Sequence, residues 1–173
     1  MKKHVSAIIT AIALFFGVCS GQAQERDYFV RYPSLNEDGS KIAFVYQGDI
    51  WVKSLHGGEQ ARRLTIHEGY DGMPHWSPDG SKIAFTSDRY GHSDVYVIDQ
   101  NGDNPRRLTY HSTSDVVSSW YSDQQVLFST NRAFAQVEWE NEIYTASLDG
   151  QTPQRLMDAV GHEPVRSPNK RFI

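Results

Sequence analysis

The phrase Asp-Gly-Ser-Lys-Ile-Ala-Phe occurs twice in this chain, at Asp38–Phe44 and again at Asp79–Phe85. That 41-residue spacing constrains the fold more than any other feature of the sequence. In the longer copy, Trp76-Ser-Pro-Asp-Gly-Ser-Lys-Ile-Ala-Phe-Thr-Ser-Asp-Arg89, a strand ends, the chain turns, and a second strand runs from Lys82 to Ser87. Pro78 fixes φ at about −65°, Asp79 bonds its own backbone and Gly80 accepts positive φ, so the turn has a mechanism. A self-similar period of this length, with four short strands in each unit, is the signature of β-propeller blades.

The first unit reads as strands at Tyr32–Leu35, Lys41–Tyr46, Asp49–Leu55 and Ala61–Thr65, with tight turns at Gln47-Gly48 and His56-Gly57-Gly58. The second matches it step for step: Met73–Trp76, Lys82–Ser87, Asp94–Ile98 and Arg106–Tyr110. Pro105 stands at the start of its outermost strand, where a missing donor is tolerated. The third unit is degenerate. Trp120-Tyr-Ser-Asp123 has lost the Pro and Gly, while Val126–Ser129, Glu142–Thr145 and Gln154–Met157 keep the strand pattern. A fourth unit opens at Pro164-Val-Arg-Ser-Pro-Asn169. The expected fold is therefore all-β, an incomplete β-propeller of about three four-stranded blades plus the start of a fourth. The units run approximately over 31–71, 72–116, 117–161 and 162–173. Ile83, Phe85, Phe128 and Ile143 are expected in the core, where full burial of such a side chain contributes about 1.5–3 kcal/mol. Blades bury their faces against one another, and three and a fraction fall short of a closed ring. The expectation is thus the N-terminal part of a longer protein.

The start of the chain has the pattern of a secretory signal: Lys2-Lys3, a twelve-residue apolar run Ala7–Val18, then small residues at Gly21 and Ala23. A bilayer span needs about 20 such residues, so the run reads as a signal core with cleavage after Ala23. Residues 1–23 are read as signal peptide and 24–173 as the propeller segment. Cys19 follows Phe16-Gly-Val18, a poor lipoprotein signal, so lipid anchoring is not expected. Cleavage would remove two lysines and no acids, taking the formal charge from −4 to −6. Such a chain has no electrostatic footprint for nucleic acid or anionic membrane. The only cysteine leaves with the signal, which removes disulfides, thiolate catalysis and cysteine metal sites from the mature segment. Export into a bacterial periplasm fits these features.

The repeats also sort the candidate chemistry, because a residue doing unique work should differ from its counterparts. Asp38, Asp79 and Asp123 share one turn position, which favours a structural role over paired carboxylates. Asp99-Gln-Asn-Gly-Asp103 lacks the ligand spacing of a calcium loop and reads as a hairpin. The seven histidines include no His-Glu-x-x-His, and His67 and His111 are equivalent. Ser77 is not in a Gly-x-Ser-x-Gly elbow. Arg63, Arg107 and Arg155 precede equivalent positions, and Trp51, Tyr96 and Tyr144 share a strand position suited to packing between blades. No catalytic, cofactor or metal residue is expected. The least repeated residues, His92 and the loop Arg132–Glu140 with Arg132, Phe134 and Trp139, are the candidates for binding.

At Trp76–Phe85, Asp94-Val-Tyr-Val97 and Arg107-Leu-Thr109 the chain resembles the TolB-like, PD40 class of propeller repeats, over essentially everything after Arg31. The opening stretch, Phe29-Val-Arg-Tyr-Pro-Ser-Leu35 with Asp38–Phe44 and Gly48-Asp-Ile-Trp51, resembles the N-terminus of tricorn-like proteases. That resemblance implies propellers that filter and channel peptides, then a PDZ domain and a C-terminal serine peptidase domain. The implied partners are peptide substrates, the remaining propeller, PDZ and peptidase domains of the same chain, and further copies in a homo-oligomer. A TolB-like periplasmic scaffold would carry a sizeable domain before its propeller, whereas the repeats here begin soon after Ala23. A prolyl-oligopeptidase-type peptidase would carry its serine elbow in a following hydrolase domain.

Overall fold

The structure is a computed structural model that describes residues 29–133, 141–167, 169 and 173. The expected signal segment, and Phe134 and Trp139, lie outside the described residues. The described residues form twelve strands and no helix: β1 (Arg31–Leu35), β2 (Lys41–Tyr46), β3 (Asp49–Ser54), β4 (Arg62–Arg63), β5 (Asp71–Trp76), β6 (Lys82–Ser87), β7 (Asp94–Asp99), β8 (Arg106–Arg107), β9 (Asp115–Ser122), β10 (Gln125–Thr130), β11 (Glu142–Ser147) and β12 (Gln154–Val160). They make three four-stranded antiparallel sheets, each in sequence order, which are three blades of a propeller. The expected all-β, incomplete propeller is what is seen.

Period-2 alternation builds the core. On β6, Ile83 and Phe85 point to the first blade while Ala84 points to the third; on β7, Tyr96 and Ile98 face the first blade, Val95 and Val97 the third. One cluster therefore joins Ala43, Val45, Ile50 and Val52 to Trp76, Ile83, Phe85, Tyr96 and Ile98. A second joins Ala84, Val95, Val97 and Leu108 to Val117, Trp120, Val126, Phe128 and Ala146. Each cluster is one blade–blade interface, so no blade has a complete core of its own. Tryptophans close the seams: Trp76 Nε1 donates to the Ser34 carbonyl at 3.1 Å, and Trp120 Nε1 to the His75 carbonyl at 2.9 Å. In the fourth unit Arg166 takes that position and donates to the Tyr121 carbonyl.

The turn reading holds in atomic detail. Asp79 accepts from Ser77 Oγ at 2.6 Å and from the Ser81 amide at 3.0 Å, and the Lys82 amide donates to Ser77 Oγ at 2.9 Å. Asn36 and Asp38 make the corresponding bonds to the Lys41 and Ser40 amides. In the third blade, without Pro or Gly, Asp123 instead accepts the Asp79 amide of the neighbouring turn at 3.0 Å. The outermost strands differ from expectation, since β4 and β8 pair over only two residues. The chain then turns inward, and the Thr65 hydroxyl takes the Ile50 amide at 2.9 Å in place of a ladder carbonyl. Thr109 does the same for Val95 at 3.0 Å.

Candidate functional site

Antiparallel order places the starts of the first and third strands of every blade at one end of the array, together with the loops before them. Five of these starts carry a buried acid. Asp49, Asp94 and Glu142 begin β3, β7 and β11, and Asp71 and Asp115 begin β5 and β9; each is no more than 2% exposed. A carboxylate in so dry a place requires a hydrogen-bonded counter-charge. Arginines supply it in two repeating patterns.

In the first pattern the partner comes from the fourth strand. Arg63 pairs with Asp49, Arg107 with Asp94 at 2.7 Å, and Arg155 with Glu142 at 2.8 Å. The Thr65 and Thr109 hydroxyls, already holding the strand-start amides, donate to Asp49 and Asp94. Arg63 and Arg107 also donate to the Thr65 and Thr109 carbonyls. Burial raises the Asp94 carboxyl above its ordinary range, with Arg107 opposing that shift. In the second pattern the partner follows the second strand and is bidentate. Arg89 grips Asp71 through Nη2 at 2.7 Å and Nε at 3.2 Å. Arg132 grips Asp115 through Nη2 and through Nε at 3.1 Å. Each of these guanidinium groups also lies over two rings, Arg89 over Phe85 and Tyr96, Arg132 over Phe128 and Tyr144. Burial pushes the Tyr96 phenol up to about 12.

Arg132 is therefore the third-blade counterpart of Arg89, and its guanidinium is occupied. Ranking it among the least repeated residues missed this, although Arg89 and Arg132 follow the equivalent Phe85 and Phe128 at the same offset. The signal was nonetheless present: Asp71 to Arg89 and Asp115 to Arg132 span 18 and 17 residues. His92 is exposed on the loop after β6, at this same end. Arg107 lies over the rings of Tyr90 and Tyr110, which are 71% and 72% exposed. His67 and His111 each accept a backbone amide two residues on, from Gly69 at 2.9 Å and Thr113 at 3.2 Å, in matching local turns. Among the described residues no group of three or more His, Cys, Asp or Glu is placed to hold a metal ion. With its buried carboxylates matched to guanidinium groups, this end is an ion-paired rim that exposes Tyr90, Tyr110 and His92.

The innermost strands β1, β5 and β9 meet at the hub. Tyr32 and Met73 hold φ of 51° and Glu163 of 50°, each immediately before a proline, Pro33, Pro74 or Pro164. The ladder bulges at the first two of these positions. Together with His75 and Ser118 they line a cleft of about 280 Å³. Burial lowers the His75 imidazole from its ordinary value to about 4, so it is neutral there at pH 7.

Residues 27–173 match the family described as the tricorn protease N-terminal beta propeller domain. A putative tricorn protease homolog 2 from Streptomyces coelicolor is 37% identical over 136 residues, which is 74% of this chain and 11% of that protein. A putative Tricorn-like protease N-terminal subunit from Sulfurisphaera tokodaii is 28% identical over 122 residues, 68% of this chain and 61% of that protein. Among solved structures, the tricorn protease superposes with a TM-score of 0.65 at 23% identity, over 76% of this chain and 13% of that one. A putative TolB from Agrobacterium tumefaciens gives the same TM-score and identity over 81% of this chain and 52% of that one. The chain spans 11% and 9% of the two Streptomyces relatives' lengths.

Proposed function

The chain belongs to the family of tricorn protease N-terminal β-propeller domains, and on that premise we propose that it is the propeller part of an exported tricorn-like serine peptidase. In this reading the propeller admits and channels peptide substrates to a catalytic domain carried elsewhere in the protein. The observation that carries it is the family match from residue 27 to residue 173, supported by the sequence relatives. Likeness of fold alone does not separate a peptidase from a TolB-like binding scaffold, since both neighbours superpose equally well. Sequence favours the peptidase reading, because the Streptomyces relatives are tricorn protease homologues.

The rim chemistry supports a scaffold role for this segment. The Asp94 carboxylate and the Thr109 hydroxyl, which a hydrolytic site would need free, are bonded to Arg107, to each other and to a strand amide. The intact protein is expected to cleave fluorogenic peptides and to lose that activity to a serine-directed phosphonate. Residues 24–173 alone are expected to show none. Peptide turnover by residues 24–173, or cleavage by the intact protein that is indifferent to the serine reagent, would overturn the reading. Export, proposed from Lys2–Ala23, is checked by N-terminal sequencing of the protein recovered from the periplasm, where Gln24 is the expected first residue.

A further inference from the structure

At the end of the blades opposite the carboxylate rim, cations are held differently. A cleft of about 770 Å³ opens there between the first and second blades. Lys41 Nζ donates to Gln100 Oε1 at 2.7 Å, while Arg62 donates to the Gln100 carbonyl at 3.1 Å and the Asn101 carbonyl at 2.7 Å. Two cationic heads thus converge on one residue, and both rest on neutral oxygens. Neutral dipoles orient a cation without cancelling its charge, in contrast to the carboxylates that neutralise Arg89 and Arg132 at the other end. A third cation on the wall, Lys82, is matched to Asp99 at 2.7 Å. The opposing acids are Glu59, exposed on the same wall, and Asp38, on whose carboxylate Lys41 acts as a favourable charge.

Strand register provides an internal comparison. Lys41, Lys82 and Gln125 occupy the same position, opposite Ser54, Asp99 and Ser147. Arg62, Arg106 and Gln154 likewise share a position, opposite Val52, Val97 and Thr145. The third blade builds the same sheet with glutamine at both places. A sheet of this kind therefore forms without cations at these two places.

We infer that this cleft, with Lys41 and Arg62 as its charged walls, is an accessory site for the carboxylate of an acidic peptide. The peptide context rests on the peptidase reading above. A carboxylate would add charge-assisted bonds to both heads, and it would enter beside Glu59, which opposes it. Binding is measured on the intact protein by fluorescence anisotropy. The probe is a labelled hexapeptide with two adjacent glutamates, acetylated and amidated at its ends. Comparison probes are the diglutamine peptide and a diglutamine peptide with a free C-terminal carboxylate.

The diglutamate peptide is expected to bind, and the K41Q/R62Q protein to bind it about tenfold or more weakly. Glu59→Gln is expected to tighten binding and added salt to weaken it. The free-acid peptide distinguishes the source: binding that follows the C-terminus assigns the cleft to an α-carboxylate, and binding that follows glutamate assigns it to side chains. Equal affinity for all three peptides, unchanged affinity in K41Q/R62Q, or equal competition by inorganic phosphate would overturn the inference. Circular dichroism verifies folding, and Arg106→Gln, outside the cleft, is the control for general charge loss. Turnover of a neutral peptide is read in parallel. Its loss in wild type would sink the peptidase reading, whereas loss of acidic-peptide binding with turnover intact would sink this inference alone.

Discussion

Replacing Arg132 with methionine separates a structural arginine from a binding one. Asp115, its partner, has no exposed side-chain surface, and Arg132 itself is 14% exposed. Removing the guanidinium leaves a dry carboxylate that has lost two bonds, a change that costs about 3–5 kcal/mol at a buried pair. The contacts over Phe128 and Tyr144 add to this. The expected loss exceeds a hundredfold in the folding equilibrium. Urea unfolding followed by tryptophan emission reads it directly, since Trp76 and Trp120 lie buried in the two blade interfaces. The double variant R132M/D115L tests the cause. With both charges gone the site becomes apolar, and the neighbouring Asp94 is relieved of a like charge that raises it. The double variant should recover at least about 2 kcal/mol relative to R132M. Arg63, whose side chain is 40% exposed, gives the graded comparison, and R63M should cost less than R132M. The reasoning is refuted if R132M shifts stability by less than about 0.5 kcal/mol, the range of an ordinary surface change, or if the two single costs simply add.

Other positions give independent checks. Phe85 is fully buried between the first two blades, and Phe85→Ala should cost about 3–5 kcal/mol in the same unfolding assay. Gly102 holds φ at +90°, and a Cβ there would stand 3.4 Å from the Leu64 carbonyl oxygen, so Gly102→Ala should cost about 1–2 kcal/mol. Gly72→Ala meets only the edge of the Tyr70 ring, a side chain 40% exposed, at a position without positive φ, and should cost less. His75 is neutral when folded because burial lowers its pKa to about 4. Its contribution is therefore present above about pH 6.5 and is lost as pH falls toward 4, by up to about 3 kcal/mol. Urea midpoints at pH 7, 5.5 and 4.5 should fall less steeply in His75→Gln than in wild type, and parallel slopes would contradict this.

The repeat made the scaffold legible because each blade restates the same local chemistry. The turn at Asp79, the alternation of Ile83 and Phe85, and the shared position of Trp51, Tyr96 and Tyr144 all follow from residue type and spacing. The carboxylate rim was harder to read. Its acids sit at strand starts, where sequence gives boundaries only to within a few residues. Its arginines are split between a strand, as with Arg107, and a loop of variable length, as with Arg132. Matching strands to strands finds the first set, whereas the second appears only when the match is carried past the strand end, from Phe85 to Arg89 and from Phe128 to Arg132. The convergence of Lys41 and Arg62 on Gln100 was not legible at all, since they stand 59 and 38 residues from it and meet it only once two blades are packed.

The three blades also separate what the fold needs from what it merely carries. A third-strand carboxylate with a fourth-strand arginine is kept in every one: Asp49 with Arg63, Asp94 with Arg107, Glu142 with Arg155. The third blade keeps that pair even though glutamate has replaced aspartate and Met157 stands where Thr65 and Thr109 stand in the others. At the opposite end the same blade has let both cations become glutamine. If persistence across blades reports structural demand, charge removed from the rim must destabilise, and charge removed from the opposite cleft must not. K41Q/R62Q should then unfold within about 0.5 kcal/mol of wild type, the range of a change away from buried networks. A loss of 2 kcal/mol or more there would mean that Lys41 and Arg62 hold the blades together through Gln100, and the division between the two ends would fail.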